Sequence, residues 1–331
     1  MNKIALITGI SGQDGAFLTE LLLAENYKVF GTSRQPKEKS RFERLEYLGV
    51  YNDVEILDRA LSTSELLSIS RASEVYNLEG QSSVAASFEK PFETIESNGY
   101  STLQWLESIR QSKRNTKFYQ ASSTDIFGDS INFSIDENSV CVPKSPYAVS
   151  KLFSHHITRN YREAYNIYAC CGILSNHESA LRGEQYVTQK IARSIGAIMR
   201  GELSCLEIGN LSAQRDWGHA KDYIRGMHLM MQQPKADDYI LATGRLHTVR
   251  QLVETAFAVV GKQIRWRGEG VEECGVCTKT EKVLVKVNPK FYRPSDISKS
   301  LGSPLKAMNK LGWEPQTSFK ELITEMVEAH L

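Results

Sequence analysis

The chain has 331 residues, 41% hydrophobic and 24% charged, a composition ordinary for a soluble globular protein. Forty Lys and Arg nearly balance 39 Asp and Glu, for a net charge of +1, which excludes attachment to nucleic acid or an anionic membrane through a global field. The length suits one large α/β domain with additions, or two modest ones, and no apolar run is long enough to span a bilayer.

The opening "MNKIALITG" passes directly into a strand and a glycine turn, without an apolar signal segment ending in small residues, so the cytoplasm is the expected location. "GAFLTELLLAENYK" follows with helical periodicity, then "KVFGTSR" as a second strand and, after a basic helix-like stretch, "DVEILD" as a third. "SEVYNLEG" reads as a fourth strand, "TIESNGYSTLQWLESIRQS" as a helix and "TKFYQASS" as a fifth strand. "SPYAVSKLFSHHITRNYREAYN" is a long helix with Pro146 near its start, and "IYACCGILSNHES" a sixth strand. This alternation predicts an α/β fold with a parallel, doubly wound sheet over residues 1–178. From 179 to 331 it loosens into helices and short strands, predicting a smaller lobe on the sheet's carboxyl edge, with some chain segments crossing between lobes. The six cysteines do not suggest a disulfide framework. "CGVC" at Cys274–Cys277 lacks a second ligand pair, so reduced thiols in a loop and no metal are expected.

"TGISGQDG" spaces Gly9, Gly12 and Gly15 between the first strand and helix. Glycines there let the backbone approach a diphosphate that the helix N-terminus stabilises. The second strand ends in Arg34 with no acid before Glu38, which favours NADP over NAD, although a solvated loop charge would look the same. Asp58, closing the third strand, is expected near the adenine. "SPYAVSK" puts Tyr147 and Lys151 one turn apart on a helix face. Tyrosine's ordinary pKa of about 10 makes it a poor base, and a nearby ammonium is expected to lower it.

With these parts together the chain resembles the extended short-chain dehydrogenase/reductases, and within them the GDP-mannose 4,6-dehydratase family. The resemblance is carried by "TGISGQDGAFLTELLL", "EVYNLEGQSSV", "SPYAVSKL", "NHES", "RGEQYVTQKIARS", "RDWGHAKDY", "FYRPSD" and "LGWEP". It implies a Rossmann domain whose NADP touches Gly9, Ser11, Gly12, Gln13, Asp14, Gly15, Arg34, Asp58, Leu78, Gln81, Ser82, Tyr147, Lys151, His177 and Arg182. It implies a GDP-sugar held by Ser123, Asn176, Lys190, Arg215, Arg293 and Asp296, with His219 structural.

In "ASSTDIFG" the family's Thr and Glu become Ser123 and Asp125, which keep the hydroxyl and carboxylate but shorten the acid by one methylene, roughly 1.5 Å of reach. The implied catalytic set is Ser123, Asp125, Tyr147 and Lys151. The implied chemistry is oxidation at C4, proton removal at C5 by Asp125, loss of water from C6 and hydride return to C6. The shortened base also admits a GDP-heptose as substrate. Two other readings stay open: an NADPH-dependent reductase or epimerase of a GDP-4-keto sugar, and a catalytically weak NADP-binding sensor. A homodimer or homotetramer is expected, with the basic loop "SRQPKEKSRFERLEYLG" shorter than the family's.

Overall fold

The protein was analysed as a computed structural model that describes residues 3–129, 134–292 and 297–331. Its centre is one sheet of seven strands: β1 (Ile4–Thr8), β2 (Lys28–Ser33), β3 (Val54–Asp58), β4 (Glu74–Asn77), β5 (Lys117–Ser123), β6 (Ala169–Leu174) and β7 (Tyr239–Leu241). They lie in the order β7-β6-β5-β4-β1-β2-β3, and every neighbouring pair is parallel. The chain reverses its direction of build-out between β1 and β4, which opens a crevice at the strands' carboxyl ends.

Helices α1 (Gln13–Ala24), α2 (Thr63–Ser70), α3 (Ser101–Ser112) and α4 (Pro146–Tyr165), with a later helix α6 (Ala220–Met231), cover the sheet; α5 (Val187–Met199), α7 (Val249–Val259) and α8 (Phe319–Glu328) pack elsewhere. Alternate strand residues feed opposite layers. Ala5, Ile7, Tyr76 and Tyr119 join a core with Leu18, Leu22, Met227 and Trp313. Leu6, Val75 and Phe118 join Leu66, Trp105 and Leu106 on the other face. Because both faces are covered, the strands read as continuous apolar runs rather than alternating ones. Each such side chain contributes about 1.5–3 kcal/mol on burial.

A second core lies outside the sheet. Ile191 and Ile195 of α5, Val253 and Phe257 of α7, and Leu322 and Met326 of α8 pack together with Leu206, Cys277 and Val285. The last three belong to a mixed four-stranded sheet of Ile264–Arg267, Cys274–Cys277, Val283–Val287 and Leu206–Ile208. "CGVC" is therefore a strand, not the expected loop. Positions i and i+3 of a strand face opposite sides, and the thiols are free. Among the described residues there is no group of three or more His, Cys, Asp or Glu that could hold a metal ion, and no helix is long and apolar enough to cross a membrane.

Two elements depart from the sequence pattern. The sixth strand breaks at Ser175, after which Asn176–Glu178 leaves the sheet to pair in parallel with Trp217–His219. Strand β7 and helix α6 lie beyond residue 178 yet complete the first sheet and its covering layer. At three residues, β7 is too short to carry a periodic signal.

Candidate active site

The carboxyl ends of β1, β4, β5 and β6 open into a cleft of 1670 Å³. Its floor is the glycine turn. Gly9 has φ +67°, and a Cβ there would press on the backbone of Glu79 at 3.1 Å. A Cβ on Gly15 would lie 2.5 Å from the Gly9 carbonyl oxygen, so only hydrogen lets α1 close on the turn. Thr8 fixes the opposite lip: its hydroxyl donates to Asn77 Oδ1 (2.8 Å) and accepts from the amides of Leu78 and Glu79 (3.0 Å each). Gly12 caps α1 without a side-chain hydrogen bond, leaving amides at the helix N-terminus for an anion. Ser11, Gly12, Gln13, Asp14, Arg34, Leu78, Gln81 and Ser82 all line the cleft.

Behind the turn is a buried network. His177 meets Asp14 Oδ2 through Nε2 (2.9 Å) and the Ser175 carbonyl through Nδ1 (2.8 Å). Burial pushes the Asp14 carboxyl up, but the His177 charge and hydrogen bonds from His177 and Gln13 outweigh it and hold Asp14 well below the carboxylate range. Burial pushes His177 down, and Asp14 reverses that, so its pKa is raised. A carbonyl and an ionised carboxylate only accept, so the contacts favour a ring in which both nitrogens donate, the direction in which the His177 pKa is shifted. His177 thus braces Asp14, and its ring nitrogens are committed inside the chain. Gln13 extends the brace, donating to Asp14 Oδ1 (2.9 Å) and accepting from Ser179 Oγ (2.8 Å).

Helix α4 starts at Pro146, with Ser145 Oγ accepting from the Ala148 amide. That places Tyr147 in its first turn and Lys151 one turn on, both buried. Ser123 closes β5; its hydroxyl accepts from the Asp125 amide (3.2 Å) and pulls the Tyr147 pKa down from the same wall. Ser123, Asp125, Tyr147 and Lys151 therefore converge on one wall. The expected effect of the ammonium on the phenol is not found. Burial and then the Asp125 carboxylate push Tyr147 above its ordinary pKa, against the Ser123 hydrogen bond and Arg182. Lys151 Nζ donates to the Ala121 carbonyl (3.0 Å) and lies 5.9 Å from the Tyr147 ring centroid. Burial brings Lys151 down to about 8, against the pull of Asp14.

The facing wall comes from the later chain. Asn176, Arg182, Lys190 and Arg215 all line the cleft. Burial and then Lys290 lower the Lys190 pKa; its Nζ sits 3.2 Å from the Phe291 ring centroid. Arg182 Nε is 2.9 Å from Glu178 Oε2, but the N–H does not point at the oxygen, so the contact is electrostatic. Arg293 and Asp296 lie outside the described residues. Asp58 is not among the lining residues: its Oδ1 accepts from the Ala60 amide (2.9 Å). Its neighbour Arg59 lines the cleft instead, paired with Glu79 (2.8 Å). His219 caps α6, accepting from the Lys221 amide, and bonds Glu325. The sequence reading missed Arg59, Tyr186, Lys290, Phe291 and Tyr292, which sit on connecting segments without periodicity.

A family model of GDP-mannose 4,6 dehydratase matches residues 6–326. The chain belongs to the GDP-mannose 4,6-dehydratase family. It is 43% identical to the GDP-mannose 4,6-dehydratase of Sinorhizobium fredii (strain HH103), over 99% of this chain and 97% of that one. It is 41% identical to the Homo sapiens enzyme of that name, over 99% and 91%, and 40% to that of Drosophila melanogaster, over 100% and 86%. The fold of this dehydratase-family chain also matches UDP-glucose 4-epimerase of Thermus thermophilus in complex with NAD, with a TM-score of 0.81 at 22% identity over 99% and 98% of the two chains. For dTDP-glucose 4,6-dehydratase of Bacillus anthracis in complex with NAD the values are 0.79 and 16%, over 99% and 96%.

Proposed function

We propose that the chain is a GDP-mannose 4,6-dehydratase that binds NADP in the cleft and forms the 4-keto-6-deoxy sugar. The observation that carries this is the convergence of Ser123, Asp125, Tyr147 and Lys151 on one wall of a cleft floored by the Gly9–Gly15 turn. The residues suit the cofactor: a glycine cradle that a Cβ would fill, an uncapped helix N-terminus for the diphosphate, and exposed Arg34 for a 2′-phosphate. NADP held there would supply the hydride acceptor for C4 and the hydride donor for C6. Tyr147 takes the C4 hydroxyl proton, with Ser123 bonded to both the phenol and the sugar oxygen. The new ketone acidifies C5, and Asp125 removes that proton as water leaves C6. Lys151, cationic below about pH 8, holds positive charge beside the phenolate as it forms. Lys190 and Arg215 are assigned to the sugar diphosphate, which arginine grips as a fork and lysine as a point charge.

Incubation of the purified protein with GDP-mannose and catalytic NADP, followed by mass and NMR analysis, is expected to give the 4-keto-6-deoxy product. Stoichiometric NADPH consumption with a supplied GDP-4-keto sugar would instead identify a reductase, and a clear preference for GDP-manno-heptose would reassign the sugar. Arg34→Ala should raise the KM for NADP about tenfold and leave that for NAD unchanged; equal effects on both would remove NADP as the preferred cofactor. We assign the protein to a homodimer or homotetramer in the cytoplasm. The assembly is supported by Phe92 (87% exposed), Tyr100, Val149 and Phe153, apolar side chains exposed on adjoining helical segments. Light scattering decides it.

A further inference from the structure

Elimination through a ketone places a demand on the cleft beyond chemistry. Once C4 has been oxidised the sugar has two electrons fewer than it entered with, and the cofactor holds them with a proton. If the ketone escapes at that stage, one reduced cofactor is stranded for each sugar lost, and the next turnover cannot begin. Something must hold the cleft closed between the two hydride steps.

Two segments from different cores meet across the cleft. Ser82 stands on the connection after β4, which belongs to the central sheet. Tyr186 is the residue that caps α5, a helix of the second core. Both line the cleft with Tyr147, and their hydroxyls are 2.6 Å apart in an exposed hydrogen bond. The tyrosine side is rigid. The Arg182 guanidinium lies 3.5 Å from the Tyr186 ring centroid, Glu178 faces Arg182 at 2.9 Å, and Thr188 Oγ1 donates to Glu178 at 2.7 Å. The Tyr186 carbonyl accepts from the Lys190 amide (2.9 Å) and its amide donates to Gly183 O (3.2 Å). The hydroxyl is therefore presented from a fixed ring that lines the same cleft as Tyr147. Nothing in this arrangement is needed for packing, because removing one oxygen leaves the ring and its cation in place.

We propose that the Ser82–Tyr186 hydrogen bond is a latch that ties the two cores together over the reacting sugar, with Tyr186 a positioning residue that retains the ketone until hydride returns. This rests on the dehydratase reading. A hydroxyl pair in water opens readily, which suits a contact that must break for every exchange of nucleotide sugar.

Tyr186→Phe keeps the ring and the Arg182 contact, Ser82→Ala removes the other partner, and Ser82→Thr keeps a hydroxyl. In stopped flow on the cofactor-free protein, GDP-mannose should leave Y186F and S82A about threefold to tenfold faster than wild type. S82T should keep the wild-type rate, and the double variant Y186F/S82A should be no faster than the faster single one. During turnover both single variants should accumulate reduced nicotinamide with an equal amount of free GDP-4-keto-mannose, which wild type does not. Wild-type dissociation in both single variants, or strictly additive effects, overturns the latch. Failure of the wild-type protein to make 4-keto-6-deoxy sugar overturns the dehydratase reading instead, and the dissociation comparison, which needs no turnover, still decides the latch.

Discussion

Asp125 raises the Tyr147 phenol, Lys151 stands beside the same ring without lowering it, and each can be tested separately. Because the Asp125 carboxylate raises the phenol, Asp125→Asn should lower the Tyr147 pKa and shift the acid limb of C4 oxidation to lower pH. The same change removes the proposed base for C5, so overall turnover should fall about 10²- to 10⁴-fold while GDP-mannose binding stays within a factor of about two. Retained full turnover would exclude Asp125 as the base. Burial has brought Lys151 to about 8, so its ammonium is lost as pH rises through that value. Activity should fall along an alkaline limb near pH 8, measured as kcat/KM. Lys151→Arg keeps the charge and should move that limb upward, at reduced overall rate. A wild-type profile flat through that region would show that the ammonium plays no part.

At the scale of elements, the site depends on how closely α1 approaches β1. Adding one methyl at Gly15 puts a carbon 2.5 Å from Gly9 O and 2.6 Å from Ile10 Cα, and backbone cannot yield as a flexible side chain can. Gly15→Ala should therefore destabilise the fold by about 1–3 kcal/mol in urea melts. It should also weaken cofactor binding more than GDP-sugar binding, because the displaced element is the helix proposed to hold the cofactor diphosphate. Equal loss at both sites would mean that the damage is general. The Asp14–His177 pair joins the same helix to Asn176–Glu178, a strand that lines the cleft. Raised His177 contributes stability that is complete below its unfolded pKa of about 6.5 and lost as pH rises through its folded value.

Across the whole molecule, a buried ion pair ties α4 to the sheet's outer strand. Arg162 Nη2 lies 2.7 Å from Asp238 Oδ2, with the side chains 17% and 8% exposed, and Asp238 Oδ1 also accepts from the Cys171 amide (2.8 Å). Burial pushes the Asp238 carboxyl up, and the Arg162 hydrogen bond and charge outweigh it, leaving its pKa lowered. Its stabilisation is thus complete above the unfolded carboxyl pKa of about 4 and is lost as pH falls through the folded value. Asp238→Ala leaves a buried guanidinium unpaired and should cost about 3–5 kcal/mol at neutral pH, with a smaller cost in acid. Thermal melts at the two pH values check this, and a pH-independent cost would contradict it.

Periodicity and glycine placement were enough to read β1 to β6, α1 and α4, because those segments bury their faces by local spacing that any chain segment displays. The glycine turn and the Tyr147–Lys151 spacing picked out residues that line the cleft for the same reason. What local spacing could not carry was partnership between distant segments. Strand β7 is three residues long and acquires its identity only by pairing with β6. Tyr147's raised pKa depends on burial and on Asp125, 22 positions earlier in the chain. The His177 pKa is raised through Asp14, and Tyr186 reaches Ser82 from another core. Chain order specifies which chemical groups are present and which elements carry them. Their pKa shifts and their neighbours arise on folding, because desolvation and through-space Coulomb interaction depend on burial and distance, which chain order does not encode.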